Sequence, residues 1–68
     1  MAKIVFTMDN GEKFSLSRWI SHSDKGEYQS QSQASFDIKQ ILDDYSRFTA
    51  DDGTILISKH IATAKITD

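Results

Sequence analysis

The chain of 68 residues contains no cysteine, no proline and only three glycines. Without cysteine there is no disulfide and no thiolate zinc site to strengthen a small fold, and catalysis by a thiol is excluded. Below about 80 residues a hydrophobic core alone supplies only a few kcal/mol of stability. We therefore expect the protein to self-associate, and the missing cysteines are typical of a cytoplasmic protein.

Runs of positive charge and long apolar stretches are also missing. The formal net charge is −2, and the eight Lys and Arg residues are spread along the chain instead of forming a phosphate-binding run. No stretch approaches the roughly 20 apolar residues of a membrane span. An alternating pattern begins at Lys3, so we expect neither a signal peptide nor membrane association.

No enzyme or metal motif stands out either. His22 and His60 have no further ligands at a known metal spacing. The adjacent carboxylates at 43–44 and 51–52 point apart, which makes them poor acid–base pairs, and no nucleophile elbow frames a serine. We therefore predict a non-catalytic protein without a cofactor or a bound metal.

What the chain does contain is a turn signal that occurs three times. Each glycine ends an Asp-Xaa-Gly unit, at residues 9–11, 24–26 and 51–53. In such a unit Asp caps its own turn, and Gly adopts the left-handed conformation that closes a type I turn with a bulge. Three such turns predict three hairpins and a mostly β domain.

The apolar residues of the first hairpin predict its register. A two-residue loop would place Phe14 on the opposite sheet face from Phe6, because a shift of one residue reverses every side chain. A three-residue loop ending at Gly11 instead pairs Phe6 with Phe14 and Ile4 with Leu16, which makes one face wholly apolar. We predict the three-residue loop, with a bulge at Gly11.

The C-terminal third predicts a hairpin and a closing strand. Residues 48–50 form a short strand before the turn at 51–53. Residues 54–58 include three consecutive apolar side chains, which indicates a central strand covered on both faces. After a bend at 59–60, residues 61–66 alternate as a last strand.

One amphipathic helix is predicted between the hairpins, over about residues 36–46. Ser35 is a suitable N-cap, and Asp37 in the first turn would complement the helix dipole. The apolar residues at helical spacing are Ile38, Ile41, Leu42, Tyr45 and Phe48.

The polar segment 21–34, rich in Ser and Gln, has three possible structures: a protruding hairpin, a mobile loop or an extra helical turn. A packed loop of this length needs apolar anchors, and the segment offers only Tyr28. We predict that the segment protrudes or is mobile, with Tyr28 near its tip.

Together these elements predict a single α+β domain over residues 1–68. Its sheet is either a strongly bent antiparallel sheet or a partly open β-barrel of five or six strands, with one helix between the hairpins. The predicted core consists of Phe6, Phe14, Leu16, Ile38, Ile41, Leu42, Leu56 and Ile66.

Trp19 and Tyr28 are the candidate contact residues for a protein partner or a second copy, because large aromatic side chains frequently anchor interfaces. For Trp19 the alternative is an anchor in the core. The predicted function is a small non-catalytic module that binds protein, acting as a homo-oligomer. The brevity of the chain and its Ser/Gln insertion are in the style of accessory proteins of bacteria and their phages.

Two alternatives remain open. Small β-barrels can bind nucleic acid through the sheet face and basic residues at its rim. The candidate nucleic-acid contacts are Lys13, Arg18, Lys59, His60 and Lys65, although the acidic net charge makes this interpretation weaker than protein binding. The second alternative is an inhibitor that occupies the active site of a partner protein.

Overall fold

The computed structural model describes all 68 residues as five strands, one α-helix and two 3-10 turns. The strands are β1 (Lys3–Met8), β2 (Lys13–Leu16), β3 (Arg47–Thr49), β4 (Ile55–Ile57) and β5 (Ile61–Thr67). The helix α1 spans Gln31–Asp44, and the 3-10 turns span Ser23–Lys25 and Ser58–His60.

The strands form two antiparallel sheets, which confirms the predicted α+β class. One sheet has the order β2-β1-β5, and the other consists of β3 and β4 alone. The sheet is not closed into a barrel. The helix α1 packs on β1 and β5, and the β3–β4 hairpin lies on the same core, where the rings of Phe6 and Phe48 are 5.1 Å apart.

The predicted register of the first hairpin is confirmed. Phe6 pairs with Phe14 and Ile4 with Leu16, and Gly11 has a φ of 87°. The apolar pattern succeeds here because only this register buries Ile4, Phe6 and Leu16 on one side of the sheet.

The last Asp-Xaa-Gly unit repeats the first turn closely. In both turns, the residue before the unit accepts a hydrogen bond from the glycine N–H and donates its own N–H to the residue after the glycine. In both, the side chain of the middle residue accepts a hydrogen bond from the backbone N–H two residues later. Asn10 accepts from Glu12, and Asp52 accepts from Thr54. The sequence signal was therefore correct for these two units.

The middle unit forms a different structure, so the prediction of a third full hairpin is wrong. Residues 23–25 make a 3-10 turn, and only one bridge, between Arg18 and Glu27, joins the chain on either side. The segment 21–34 neither protrudes nor forms a loop throughout, because Tyr28 is fully buried and residues from Gln31 onward are helical.

The helix begins one turn earlier than predicted. Its N-cap is Ser30 instead of Ser35, and the Ser30 hydroxyl accepts the N–H of Gln33. The Gln33 side chain accepts the N–H of Gln29 in return. This is a variant of the Ser-x-x-Gln capping box, in which the Gln33 side chain accepts from the residue before the N-cap instead of from the N-cap itself.

The buried side of the helix also differs from the predicted apolar stripe. Ile38 and Ile41 are buried as predicted, but Leu42 is 49% exposed, so its assignment to the core is wrong. Phe14 and Ile66 are partly buried at the border of the core. The core consists of Ala2, Ile4, Phe6, Leu16, Trp19, Tyr28, Ala34, Ile38, Ile41, Phe48, Ala50 and Leu56.

The prediction that 54–58 forms a central strand with both faces covered is also wrong. β4 pairs with β3 alone. Leu56 points into the core and is 2% exposed, whereas Ile55 and Ile57 are 64% and 44% exposed. Two apolar side chains are therefore left on the surface of a three-residue strand.

Candidate functional site

Trp19 and Tyr28, the predicted partner contacts, both lie in the hydrophobic core. Trp19 is 5% exposed and Tyr28 is fully buried, and their rings meet edge to face at 5.6 Å. The placement of Tyr28 at the tip of a projecting segment is wrong, and its side chain could reach a partner only by leaving the core. The rings of Trp19 and Tyr28 instead pack in the core and hold the segment before α1 against the sheet.

Asp37 explains why Tyr28 turns inward. Its fully buried carboxylate accepts the N–H groups of Ile20 and Ser21 at 2.8 and 3.0 Å and the hydroxyls of Ser21 and Tyr28. Burial, and secondarily the hydrogen bond to Asp37, raises the pKa of the Tyr28 hydroxyl far above its usual value. Tyr28 therefore stays a neutral donor, and a buried carboxylate with four donors is well satisfied.

The outer edge of Trp19 contributes to an aromatic cluster beside the first turn of the helix. His22 stacks on the half-exposed Phe36, and both rings lie within about 6 Å of Trp19, at 5.4 and 6.2 Å. The Lys25 ammonium lies 4.7 Å from the Trp19 ring centre. The chain's own lysine thus covers the Trp19 face that a ligand cation would need.

The candidate nucleic-acid residues do not form one patch. Lys13 and Lys65 lie on the outer face of the three-stranded sheet, because Lys13 pairs with Thr7, Lys65 pairs with Val5, and these face away from Phe6. Arg18 lies beyond the end of β2, in the bridge to Glu27. Lys59 and His60 lie in the second 3-10 turn, and both are exposed.

One concave surface with several apolar lining residues is a groove that sequence reasoning did not predict. It lies between β4 and the β1–β2 turn and has a volume of about 380 Å³. Met8, Phe14 and Leu56 are its more buried members, and Ile55 and Ile57 are the exposed ones. Polar residues at the groove are Asp9, Asn10, Thr54 and His60. We call this surface the β4 groove.

The backbone of β4 is open along one edge of its hairpin. Ala50 N–H donates to Thr54 O and Ser58 N–H to Ser46 O, so hydrogen-bonded pairs fall on the even-numbered residues of β4. In an antiparallel pair the bonded and non-bonded pairs alternate. Both backbone groups of Ile55 and the N–H of Ile57 therefore point away from β3, toward the unpaired edge, whereas the Ile57 C=O begins the 3-10 turn Ser58–His60.

The open edge and the apolar groove share the same two residues. Ile55 and Ile57 carry the unpaired backbone groups, and their side chains also line the β4 groove. Asp9 and His60 lie at its rim, with Asp9 Oδ2 and His60 Nδ1 3.4 Å apart. The sequence signal for this site was the run Ile55-Leu56-Ile57, since a two-stranded hairpin can bury only one of its faces.

The groove offers little catalytic chemistry. The side chains of Asp9 and His60 are 62% and 54% exposed, so the protein neither desolvates them nor fixes them in place. No group of three His, Cys, Asp or Glu side chains is arranged to hold a metal ion. The helix is too short and too polar to cross a membrane.

The chain matches no protein-family model, no curated protein and no solved structure.

Proposed function

We propose that this protein is a non-catalytic module that binds a partner protein through the β4 groove. The observation that carries the proposal is the coincidence of an unpaired strand edge with an exposed apolar groove at Ile55 and Ile57. Either feature alone is common on protein surfaces. Together they supply the two kinds of contact that a peptide-binding edge needs.

The occupant that fits is an extended segment of the partner, which adds a strand beside β4. Its backbone pairs with the N–H and C=O of Ile55 and with the N–H of Ile57, and its alternate side chains enter the groove over Met8 and Phe14. Main-chain bonds supply affinity in this mode, and the side-chain pockets supply specificity. A segment with apolar residues at every second position matches this surface.

The proposal includes a cytoplasmic location and no enzymatic step. The exposed Asp9–His60 pair at the rim favours a partner segment with a polar or basic residue at that end of the groove, next to the Asp9 carboxylate. The style of the sequence favours an accessory protein of a bacterium or a phage.

The test uses a phage-displayed library of unconstrained peptides, selected against the full chain. The enriched peptide is then titrated by calorimetry into wild type, Ile55→Asp and Ile57→Asp. We expect each variant to weaken binding at least about tenfold, because a carboxylate replaces an apolar contact and would be desolvated on binding. Both positions are exposed, so thermal unfolding should change little.

Leu42→Asp is the matched control, because Leu42 is an exposed apolar residue outside the β4 groove. We expect its affinity for the peptide to stay within about twofold of wild type. The proposal is wrong if no peptide is enriched, or if Leu42→Asp weakens binding as much as the groove variants do.

Nucleic-acid binding remains the second candidate because of the lysines on the outer sheet face. Lys3 joins Lys13 and Lys65 there, and none of the eight strand residues on this face is acidic. The strand residues of this face are therefore locally basic, although the chain as a whole has a net charge of −2.

This candidate is tested by fluorescence anisotropy with a labelled single-stranded oligothymidylate. A functional lysine face requires binding that weakens steeply with salt and is lost when Lys3, Lys13 and Lys65 are all replaced by Gln. Unchanged anisotropy in the wild-type protein at low salt rejects it. Ile55→Asp should leave such binding intact, which separates the two functions.

A further inference from the structure

The three-stranded sheet protects one of its edges and leaves the other open. At the β2 edge, the β3–β4 turn covers the strand: Asp51 donates its N–H to Ser15 O, and the Asp51 carboxylate accepts the Ser17 N–H, both at 3.0 Å. At the β5 edge no strand pairs beyond β5. Four consecutive residues there, 62–65, are exposed.

The register identifies which backbone groups of β5 are free. Met8 donates its N–H to Glu12 on the β2 side, and Asp9 donates its N–H to His60 on the β5 side. Odd-numbered residues of β1 therefore bond to β5, where their partners are Thr63, Lys65 and Thr67. The N–H and C=O groups of Ala64 and Ile66 point outward, away from β1.

We propose that β5 pairs with the β5 strand of a second copy, antiparallel, about a two-fold axis at Ala64. The two three-stranded sheets then join into one continuous sheet. The partner is a second copy, because two identical β5 edges can pair antiparallel about a two-fold axis. That is the symmetry of an isologous dimer. This surface does not depend on the β4 groove, which Ala64 does not line.

The charges and sizes of the β5 side chains favour a two-fold axis at Ala64. Ala64 is the middle residue of β5, so this register overlaps all seven residues of the strand. It places Lys65 opposite Thr63 of the partner subunit, and Ile66 opposite the partner's Ala62, a large side chain against a small one. An axis one residue later would place the two Lys65 side chains opposite each other, and like charges in that position are destabilising.

A bulge limits the regular part of the contact. The β1–β5 register shifts between Thr7 and Met8, which leaves Ala62 as an extra residue in β5. A bulge bends its strand locally and interrupts the ladder. The hydrogen bonds between copies therefore concentrate at Ala64, at the axis, while the partner's Ile66 packs beside the bulge on the apolar side of the sheet.

The experiment is a charge swap at the axis, read by sedimentation velocity and native mass spectrometry. Wild type should form a dimer of twice the 7.7 kDa chain mass. Ala64→Lys and Ala64→Glu should each be monomeric, because each brings two like charges together at the axis. An equimolar mixture of the two variants should form the heterodimer. Ser32→Lys and Ser32→Glu, at an exposed helix position, should dimerise like wild type.

A second measurement does not require a variant. The Ala64 amide faces solvent in the monomer, so its hydrogen exchange in wild type should slow as protein concentration rises, together with that of Ile66. The proposal is overturned if wild type sediments as a monomer up to high micromolar concentration. It is equally overturned if the dimer survives in both Ala64 variants, or if Ala64 exchange is independent of concentration.

Discussion

At the scale of single residues, Asp37 connects α1 to the chain that precedes it. Its carboxylate is fully buried and accepts two backbone N–H groups and two hydroxyls across 9 to 17 residues of sequence. Sequence reasoning placed Asp37 in the first turn of the helix, as a complement to the helix dipole. Its position beside Ala34, Ile38 and Ile41 on the apolar side of the helix was the available signal.

Asp37→Ala is expected to lower the free energy of unfolding by at least about 3 kcal/mol, because it leaves several buried donors without an acceptor. A domain of this size has a total stability of only several kcal/mol, so the variant should be largely unfolded in mild denaturant. Asp44→Ala, on the exposed end of the same helix, should change stability by less than about 0.5 kcal/mol. Urea unfolding followed by Trp19 fluorescence measures both, and equal midpoints would contradict this role of Asp37.

From the environment of Asp52 we predict that part of the folding stability is lost at acidic pH. The hydrogen bonds from Thr54 lower the pKa of its carboxyl in the folded protein, which means that folding favours the ionised form. Its contribution to stability is therefore present above the ordinary Asp range and is lost as the pH falls through the lowered pKa. NMR titration of the carboxyl carbon should show the lowered pKa in wild type.

The first turn provides the control for Asp52. Asn10 makes the same hydrogen bond without a titrating group. Asp52→Asn should therefore keep the turn and remove its part of the stability loss as the pH falls below the ordinary Asp range. An Asp52 carboxyl that titrates at or above the ordinary Asp pKa would show that the turn does not favour its charge.

At the scale of elements, the patterns that sequence reasoning read correctly depend on local contacts. The β1–β2 register follows from residues at most 12 positions apart, and the first and last turns follow from their own Asp-Xaa-Gly units. The helix start was also local, since Ser30 and Gln33 form a recognisable capping box, but the Ser/Gln composition suggested a loop instead.

The surroundings of β4 could not be derived locally. Three consecutive apolar residues indicate burial on both faces only if another strand or helix covers the second face. Whether such a cover exists depends on the whole topology, and here β4 pairs with β3 alone. The exposed Ile55 and Ile57 are thus the point where a correct local pattern produced a wrong structural prediction.

Ile57→Pro tests the role of the β4 edge as a strand template. Its N–H points away from β3, so proline removes no hydrogen bond of the hairpin, but the φ of −99° must shift toward the proline value of about −65°. We expect a folded variant of somewhat lower stability and a loss of peptide affinity of about 1 kcal/mol or more. Ile57→Val keeps the N–H and most of the apolar surface and should bind almost as wild type. If calorimetry gave equal affinities for the two variants, the backbone N–H of residue 57 would not contribute to binding.

At the scale of the whole molecule, the contacts that sequence reasoning missed are the long-range ones. Asp51 bonds to Ser17 across 34 residues and covers the β2 edge, and Asp37 draws Ile20 and Ser21 to the helix. These bonds bury Trp19 and Tyr28, which sequence reasoning had placed at an interface. They also determine which edges remain open, namely those of β4 and β5.

The central claim is that the open edge of β4 pairs with an extended partner segment. Amide hydrogen exchange by NMR on the full chain, with and without the library-selected peptide, tests it most directly. We expect the peptide to slow exchange at Ile55 and Ile57, whose amides point to the open edge, and to leave exchange at the lysines of the outer sheet face unchanged. A bound peptide that protects neither Ile55 nor Ile57 would show that it does not pair with β4.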